Sequence, residues 1–350
     1  MHRILVDMHR LRHNPFNGLY NYSVGLGKAL IALNDPDMEL HYYLPEDKFG
    51  FFGDKVKYER QRSIDKFYRF GGGRFDLWHV TTTLSWYHPF NAKTKNVFTL
   101  HDLNFLIEEK ENTERNRRLL KQIQQRVNRA HHIVAISNYA LQQGMEHLDM
   151  RDKPCSVIYN GLQLEDVKED EDVPYKPKAK FLFSVGLVQP RKNFHVLPAL
   201  LKNNHYELII AGLNDYAYTG EVLQAAKEQG VEDRVKLIGP VTEAQKIWYY
   251  QNCEAFLFPS YAEGFGLPVI EAMYFGKPVF LSTATSLPEV GGRLAYYFKS
   301  FEHADMRSVF DDGMHHFESN RPGDEIKNHA AKFNWNDAAK QYMEVYKSLL

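Results

Sequence analysis

Ala255-Phe256-Leu257-Phe258-Pro259-Ser260-Tyr261-Ala262-Glu263-Gly264-Phe265-Gly266-Leu267-Pro268-Val269-Ile270-Glu271-Ala272 reads as one strand, one turn and the start of one helix. The apolar run closed by Pro259 has the length and composition of a strand buried on both faces. Gly264 and Gly266 let the backbone turn tightly and approach a ligand closely. Pro268 suits the first turn of a helix, where its missing N–H costs nothing. Such a helix start offers amides to a phosphate, and Leu267 opens it. Glu263 and Glu271, with seven residues between them, can both face the strand end. Carboxylates that accept pairs of hydroxyl hydrogen bonds suit a sugar or a ribose. Taken alone, two such glutamates are more often a loop acid and a solvated helix face.

The same alternation extends in both directions. Ile4–Val6, Leu77–Val80, Val97–Leu100, Ile133–Ile136 and Val157-Ile158 are short runs rich in β-branched and aromatic residues, with helical stretches between them. A second series begins after Lys180: Phe181–Val185, Leu208–Ala211, Val235–Ile238, Ala255–Phe258 and Val279–Leu281. Strands alternating with helices predict an α/β chain with parallel sheets built from βαβ units. A length of 350 residues, 44% of them hydrophobic, allows two cores of ordinary size. Lys168–Lys178 is charged, contains Pro174 and Pro177, lacks apolar periodicity and reads as a linker. The expected division is residues 1–170, a linker at 171–180, residues 181–333 and a terminal segment at 334–350. In that last segment Asn334 suits an N-cap, and Ala338, Tyr342, Val345, Tyr346 and Leu349 recur at helical spacing.

Charge excludes some functions. With 43 basic and 44 acidic residues the net charge is -1, so no global field gathers nucleic acid or an anionic membrane, and any anion site is local. Cys155 and Cys253 are far apart and lack neighbours at metal-ligand spacing, which fits a reducing compartment. Ile4–Val6 is too short for a signal-peptide core or a membrane span, so a cytoplasmic location is expected. No H-E-x-x-H or Asp-x-Asp pattern falls at an apparent active site, and no metal is expected. Walker and G-x-G-x-x-G spacings are also missing.

Further candidates lie at predicted strand ends, where open α/β sheets bind ligands. Gly186 follows the Phe181–Val185 strand, and Arg191 and Lys192 project a few residues later. Two cations there could neutralise a departing diphosphate, although a basic dipeptide is more often simply solvated. His101 ends the Val97–Leu100 strand, with Asp102 beside it to orient the ring; capping or core packing is an equally weighted alternative for this histidine. Asn14–Tyr22, with Gly18, occupies the loop after the first strand.

In its glycine and proline context the Glu263-x7-Glu271 spacing resembles the E-x7-E signature of retaining glycosyltransferases of the GT-B fold, family-four (glycosyl transferases group 1) type. Gly186–Asn193, with four residues between Gly186 and Arg191, is similar to that family's G-x5-R-K-N type motif, with Leu187 where many members carry arginine and Arg191 placed to supply the charge. Thr99–Leu103, Ala135–Tyr139, Tyr159–Gly161, Leu237–Val241 and Ser286–Gly292 resemble further family segments, which spreads the resemblance over nearly the whole chain. It implies a GT-B architecture, in which two Rossmann-like domains with parallel sheets face across a cleft. The first would recognise the acceptor, the second would bind a nucleotide sugar, and the terminal helix would pack back on the first.

The implied reaction is metal-independent hexosyl transfer with retention from a nucleotide diphosphate sugar to a saccharide or lipid-linked saccharide acceptor. It would need no cofactor and would serve cell-surface polysaccharide assembly, in the cytoplasm or peripherally at the inner face of the membrane. The Pro190–Asn193 variant resembles members that handle mannose or rhamnose. Carried over by motif, the catalytic set is His101, Asp102, Arg191, Lys192 and Glu263. The donor-binding set is Gly18, Gly186, Arg191, Lys192, Gly239, Val241, Glu263, Gly264, Phe265, Gly266, Leu267 and Glu271. Two alternatives stay open: a nucleotide-sugar epimerase or phosphorylase-like enzyme of the same architecture, and a non-catalytic sugar-nucleotide-binding homologue.

Overall fold

A computed structural model describes residues 1–12, 18–33, 35–66, 73–87, 93–108, 113–162, 164 and 171–350. They form two compact units, Met1–Gly161 with Asn334–Leu350, and Leu162–Phe333.

The first unit is built on β1 (His2–Asp7), β2 (Met38–Leu44), β3 (Lys57–Arg60), β4 (Leu77–Val80), β5 (Lys95–Leu100), β6 (His132–Ala135) and β7 (Cys155–Val157). Their spatial order is β3-β2-β1-β4-β5-β6-β7, and every pairing is parallel. Parallel neighbours require crossovers, so helices cover both faces and the inner strands become continuous apolar runs. Ile4, Leu5 and Val6 are fully buried accordingly. The winding reverses between β1 and β4, which opens a crevice beyond their carboxyl ends.

The second unit repeats the plan with β8 (Phe181–Val185), β9 (Glu207–Ala211), β10 (Val235–Gly239), β11 (Ala255–Phe258), β12 (Val279–Ser282) and β13 (Tyr296–Phe298). Their order is β10-β9-β8-β11-β12-β13, all parallel, and the reversal falls between β8 and β11. The strand quoted at the outset is therefore β11, at the switch point. β2, β3 and β13 lie outside the apolar runs picked out from sequence. Lys57-Tyr58-Glu59-Arg60 of β3 is a charged edge strand, the kind of sequence that protects a sheet margin and hides a strand from apolar patterning.

Residues 171–180, expected to form the linker, belong to the second unit. The buried carboxylate of Glu207 accepts from the Tyr175 hydroxyl at 2.5 Å and from the Lys178 and Ala179 amides at 2.7 and 3.0 Å. A charged, proline-bearing run hides this docking because its partner lies on β9. Lys168, Glu169 and Asp170 lie outside the described residues. The terminal helix, Trp335–Leu349, starts at an Asn334 cap whose Oδ1 accepts from the Asp337 amide at 2.8 Å, and it belongs to the first unit. Its Trp335 indole lies on Gly25 of the helix Gly18–Leu33, where an added Cβ would stand 2.2 Å from the ring.

Candidate active site

Three of the expected side chains meet at the switch point of the second unit. After β8 the chain turns through Gly186 into a short helical turn, Pro190–Lys192, whose loop is joined to the loop after β11. The Arg191 carbonyl accepts from the Tyr261 amide and the Ser260 hydroxyl, both at 3.1 Å, and the Arg191 guanidinium donates to the Ala262 carbonyl at 2.9 Å. This stitching turns Lys192 inward, where it is only 6% exposed. Its Nζ donates to Glu263 Oε1 at 2.6 Å and lies 4.5 Å from the centre of the Phe258 ring. Arg191 Nη1 stands 3.6 Å from the same carboxylate oxygen. Burial opposes ionisation of Glu263, but Lys192 and then Arg191 outweigh it and hold the carboxyl below its usual range. Two cations and one anion thus leave a net positive charge at the carboxyl ends of β8 and β11.

Ser286 and Thr285 support the Glu263 loop. The Ser286 hydroxyl lies 3.0 and 2.9 Å from the Glu263 and Phe265 carbonyls, and Thr285 Oγ1 accepts from the Glu263 amide at 3.1 Å. Gly264 and Phe265 are buried, and Leu267 opens the helix Leu267–Tyr274 with Pro268 in its first turn. Gly266 caps that helix at φ 106°, a conformation that favours glycine. The Gly239 carbonyl, at the end of β10, accepts from the Gly212 amide at 2.8 Å, and Val241 is buried just beyond.

Glu271 is held by a separate set of partners. The helix Glu243–Asn252 begins with a capping box in which Thr242 and Gln245 satisfy each other's amides. Lys246 and Tyr250, four apart, share one face and meet the two Glu271 oxygens at 3.0 and 2.8 Å. Burial opposes the Lys246 charge, yet Glu271 and Glu243 raise its pKa overall. Burial and then Glu271 push the Tyr250 phenol well up. Sequence reading missed Lys246 and Tyr250, although the Thr242-x-x-Gln245 cap and their spacing were the available signal.

His101 and Asp102 lie in the first unit. His101 is buried past the end of β5, its Nε2 is 2.7 Å from the Thr81 carbonyl and its amide donates to Thr83 Oγ1 at 2.8 Å. The Thr81 carbonyl orients this ring at Nε2, and Asp102, the neighbour expected to help orient it, has its Oδ1 accepting from the Asn104 amide at 3.0 Å. Burial lowers the His101 pKa to about 4, although the Thr81 bond works the other way. Gly18 is the exposed first residue of its helix, and residues 14–17 of the loop expected around it lie outside the described residues. Among the described residues, no group of three or more His, Cys, Asp or Glu side chains could hold a metal ion. No helix among them is long and apolar enough to cross a membrane.

The paired parallel sheets match solved structures over nearly the whole chain. Sucrose-phosphate synthase from Thermosynechococcus elongatus superposes with a TM-score of 0.76 at 18% identity, covering 100% of this chain and 99% of that one. WaaG, a glycosyltransferase involved in lipopolysaccharide biosynthesis, gives 0.67 at 13% identity, covering 98% and 99%. At such identities the likeness is one of fold, and the class is GT-B, an α/β architecture of two Rossmann-like domains. Residues 36–166 match the family model described as Glycosyltransferase Family 4, and residues 166–299 match Glycosyl transferases group 1. The chain belongs to this glycosyltransferase family. The serotype-specific mannosyltransferase WbdA of Escherichia coli is 30% identical over 247 residues, which are 63% of this chain and 29% of that protein. The O-antigen chain mannosyltransferase B of Escherichia coli is 30% identical over 178 residues, 47% of this chain and 45% of that one. The chain thus spans under a third of the length of WbdA and under half of the second relative.

Proposed function

We propose that the chain transfers a hexosyl group, of mannose type, from a nucleoside diphosphate sugar to a saccharide or lipid-linked saccharide acceptor, with retention of configuration. The observation that carries this reading is the buried Lys192–Glu263 pair with Arg191 beside it, at the switch point where open α/β sheets take ligands. The names of the mannosyltransferase relatives support the sugar and a role in polysaccharide assembly.

In this reading the bond between the anomeric carbon and the phosphate oxygen breaks, and its electron pair leaves with the nucleoside diphosphate. Arg191 and Lys192 meet the charge that develops there. The acceptor hydroxyl attacks from the same face, and its proton passes to the departing phosphate. Glu271, oriented by Lys246 and Tyr250, would accept from the ribose hydroxyls, and Glu263 would lie nearer the sugar. Fixed cations take the place a divalent ion would fill, so transfer should persist in excess EDTA. Loss of activity restored only by magnesium or manganese would assign the reaction to another class.

A thermal-shift panel of nucleoside diphosphates and their sugars, followed by transfer assays with the donor that stabilises, tests the whole. Selective stabilisation and transfer are expected. Epimerisation without acceptor, a phosphate requirement, or donor binding with no transfer would each overturn the reading.

A further inference from the structure

The His101 ring is held at Nε2 by the Thr81 carbonyl, and its amide by Thr83 Oγ1. Tyr22, from the helix Gly18–Leu33, packs against the imidazole edge to face at 4.6 Å between ring centres and 79° between planes. The Tyr22 hydroxyl lies 2.8 Å from the Tyr342 hydroxyl of the terminal helix and 3.5 Å from Thr99 Oγ1 on β5. Both phenols are buried. A second limb from the same helix runs from the Tyr346 hydroxyl to His79 Nδ1, and from His79 Nε2 to Thr99 Oγ1, each at 2.7 Å.

Stability alone does not call for the phenol pair. Two phenylalanines of the same shape would pack without desolvating two hydroxyls, and replacing both members of a buried hydrogen bond by apolar groups is nearly neutral. What the pair adds is direction, because each ring is held by its hydroxyl as well as by its walls. The Thr81 carbonyl can only accept, so His101 Nε2 carries the proton and Nδ1 is an acceptor. Such an acceptor suits a sugar hydroxyl if the ring is held still.

We propose that Tyr342 is a positioning residue for His101: its hydroxyl locks the Tyr22 ring against the imidazole, so the imidazole is fixed in place only with the terminal helix docked. The proposal rests on the reading of His101 as a residue that meets a sugar. It makes the last helix of the chain, remote in sequence from every motif, part of the machinery.

Tyr342→Phe in the full chain tests it. Transfer kcat should fall about tenfold, as expected for a small misplacement of a reacting group, with the donor KM within about twofold. The His101 imidazole nitrogen signals, identified by their loss in His101→Gln, should shift in the NMR spectrum of histidine-labelled protein. Tyr346→Phe removes a phenol of the same helix that reaches His79 and only through it the Thr99 hydroxyl shared with Tyr22; it should lower the melting temperature and shift the His101 signals much less than Tyr342→Phe does. The double variant Tyr22→Phe/Tyr342→Phe should regain stability without regaining kcat, and supplies the same readings if the single variant fails to fold. Unmoved His101 signals in Tyr342→Phe, or an equal shift in Tyr346→Phe, would overturn the positioning role. A wild-type chain that transfers no sugar would overturn the proposed function, while the NMR comparison would still decide the positioning.

Discussion

Lys192 and Glu263 act as one unit, and that alters what single substitutions report. From sequence, Lys192→Ala removes a cation from a loop aimed at the diphosphate and costs about 2 to 4 kcal/mol of transition-state stabilisation with little effect on folding. In the structure it also strips a buried carboxylate of its nearest partner, leaving Arg191 at 3.6 Å, so a stability loss of about 2 to 3 kcal/mol should accompany the kinetic one. Urea unfolding beside kcat/KM measures both, and a rate unchanged from wild type would remove Lys192 from the mechanism. Glu263→Gln should slow turnover but not weaken nucleoside diphosphate binding, because it releases the Lys192 charge toward the diphosphate. Glu271→Gln should weaken nucleotide binding by about 1.5 to 3 kcal/mol, since a charged acceptor becomes a neutral one. Calorimetry with the nucleoside diphosphate separates the two; equal losses of affinity would show the assigned roles to be wrong.

At the scale of elements, the loops after β8, β9 and β10 are held so close together that one has no room for a side chain. Gly212, past the end of β9, sits at φ 148°, and a Cβ there would stand 1.8 Å from the Gly186 carbonyl oxygen. Backbone cannot yield as a flexible side chain can, so Gly212→Ala should cost about 2 to 4 kcal/mol and displace the Gly186–Lys192 turn. The expected result is a lower melting temperature together with lost stabilisation by nucleoside diphosphate. Full retention of both would mean that the turn tolerates displacement. Gly186 was legible as a strand-end glycine; Gly212 was not singled out, because its requirement comes from a carbonyl on another strand connection. Lys246 and Tyr250 illustrate the same limit, since only the fold turns their helix toward Glu271.

For the whole molecule, acid is a test of how the first unit was built. Burial lowers His79 to about 3 and His101 to about 4, both below the ordinary 6.5, so each is folded in its neutral form. Between those values and 6.5 the unfolded chain binds more protons, so the stability contributed is complete above 6.5 and is lost as pH falls below it. Between pH 7 and pH 5 the loss should be about 2 kcal/mol for each histidine, read by urea unfolding at the two pH values. His79→Gln should flatten that slope, and an unchanged slope would show that His79 does not titrate on unfolding. By itself the sequence determined the α/β class, the two series of parallel strands and the loop that carries Glu263. Those features rest on local signals: apolar runs of strand length, glycines at turns, and a proline at a helix start. Only the tertiary structure decided that Lys192 is buried against Glu263, that Glu271 is held by a helix from elsewhere in its unit, and that the terminal helix, expected on the first unit, meets it through Tyr342 on Tyr22. Burial and pairing are set by residues distant in the chain, so no local pattern records them.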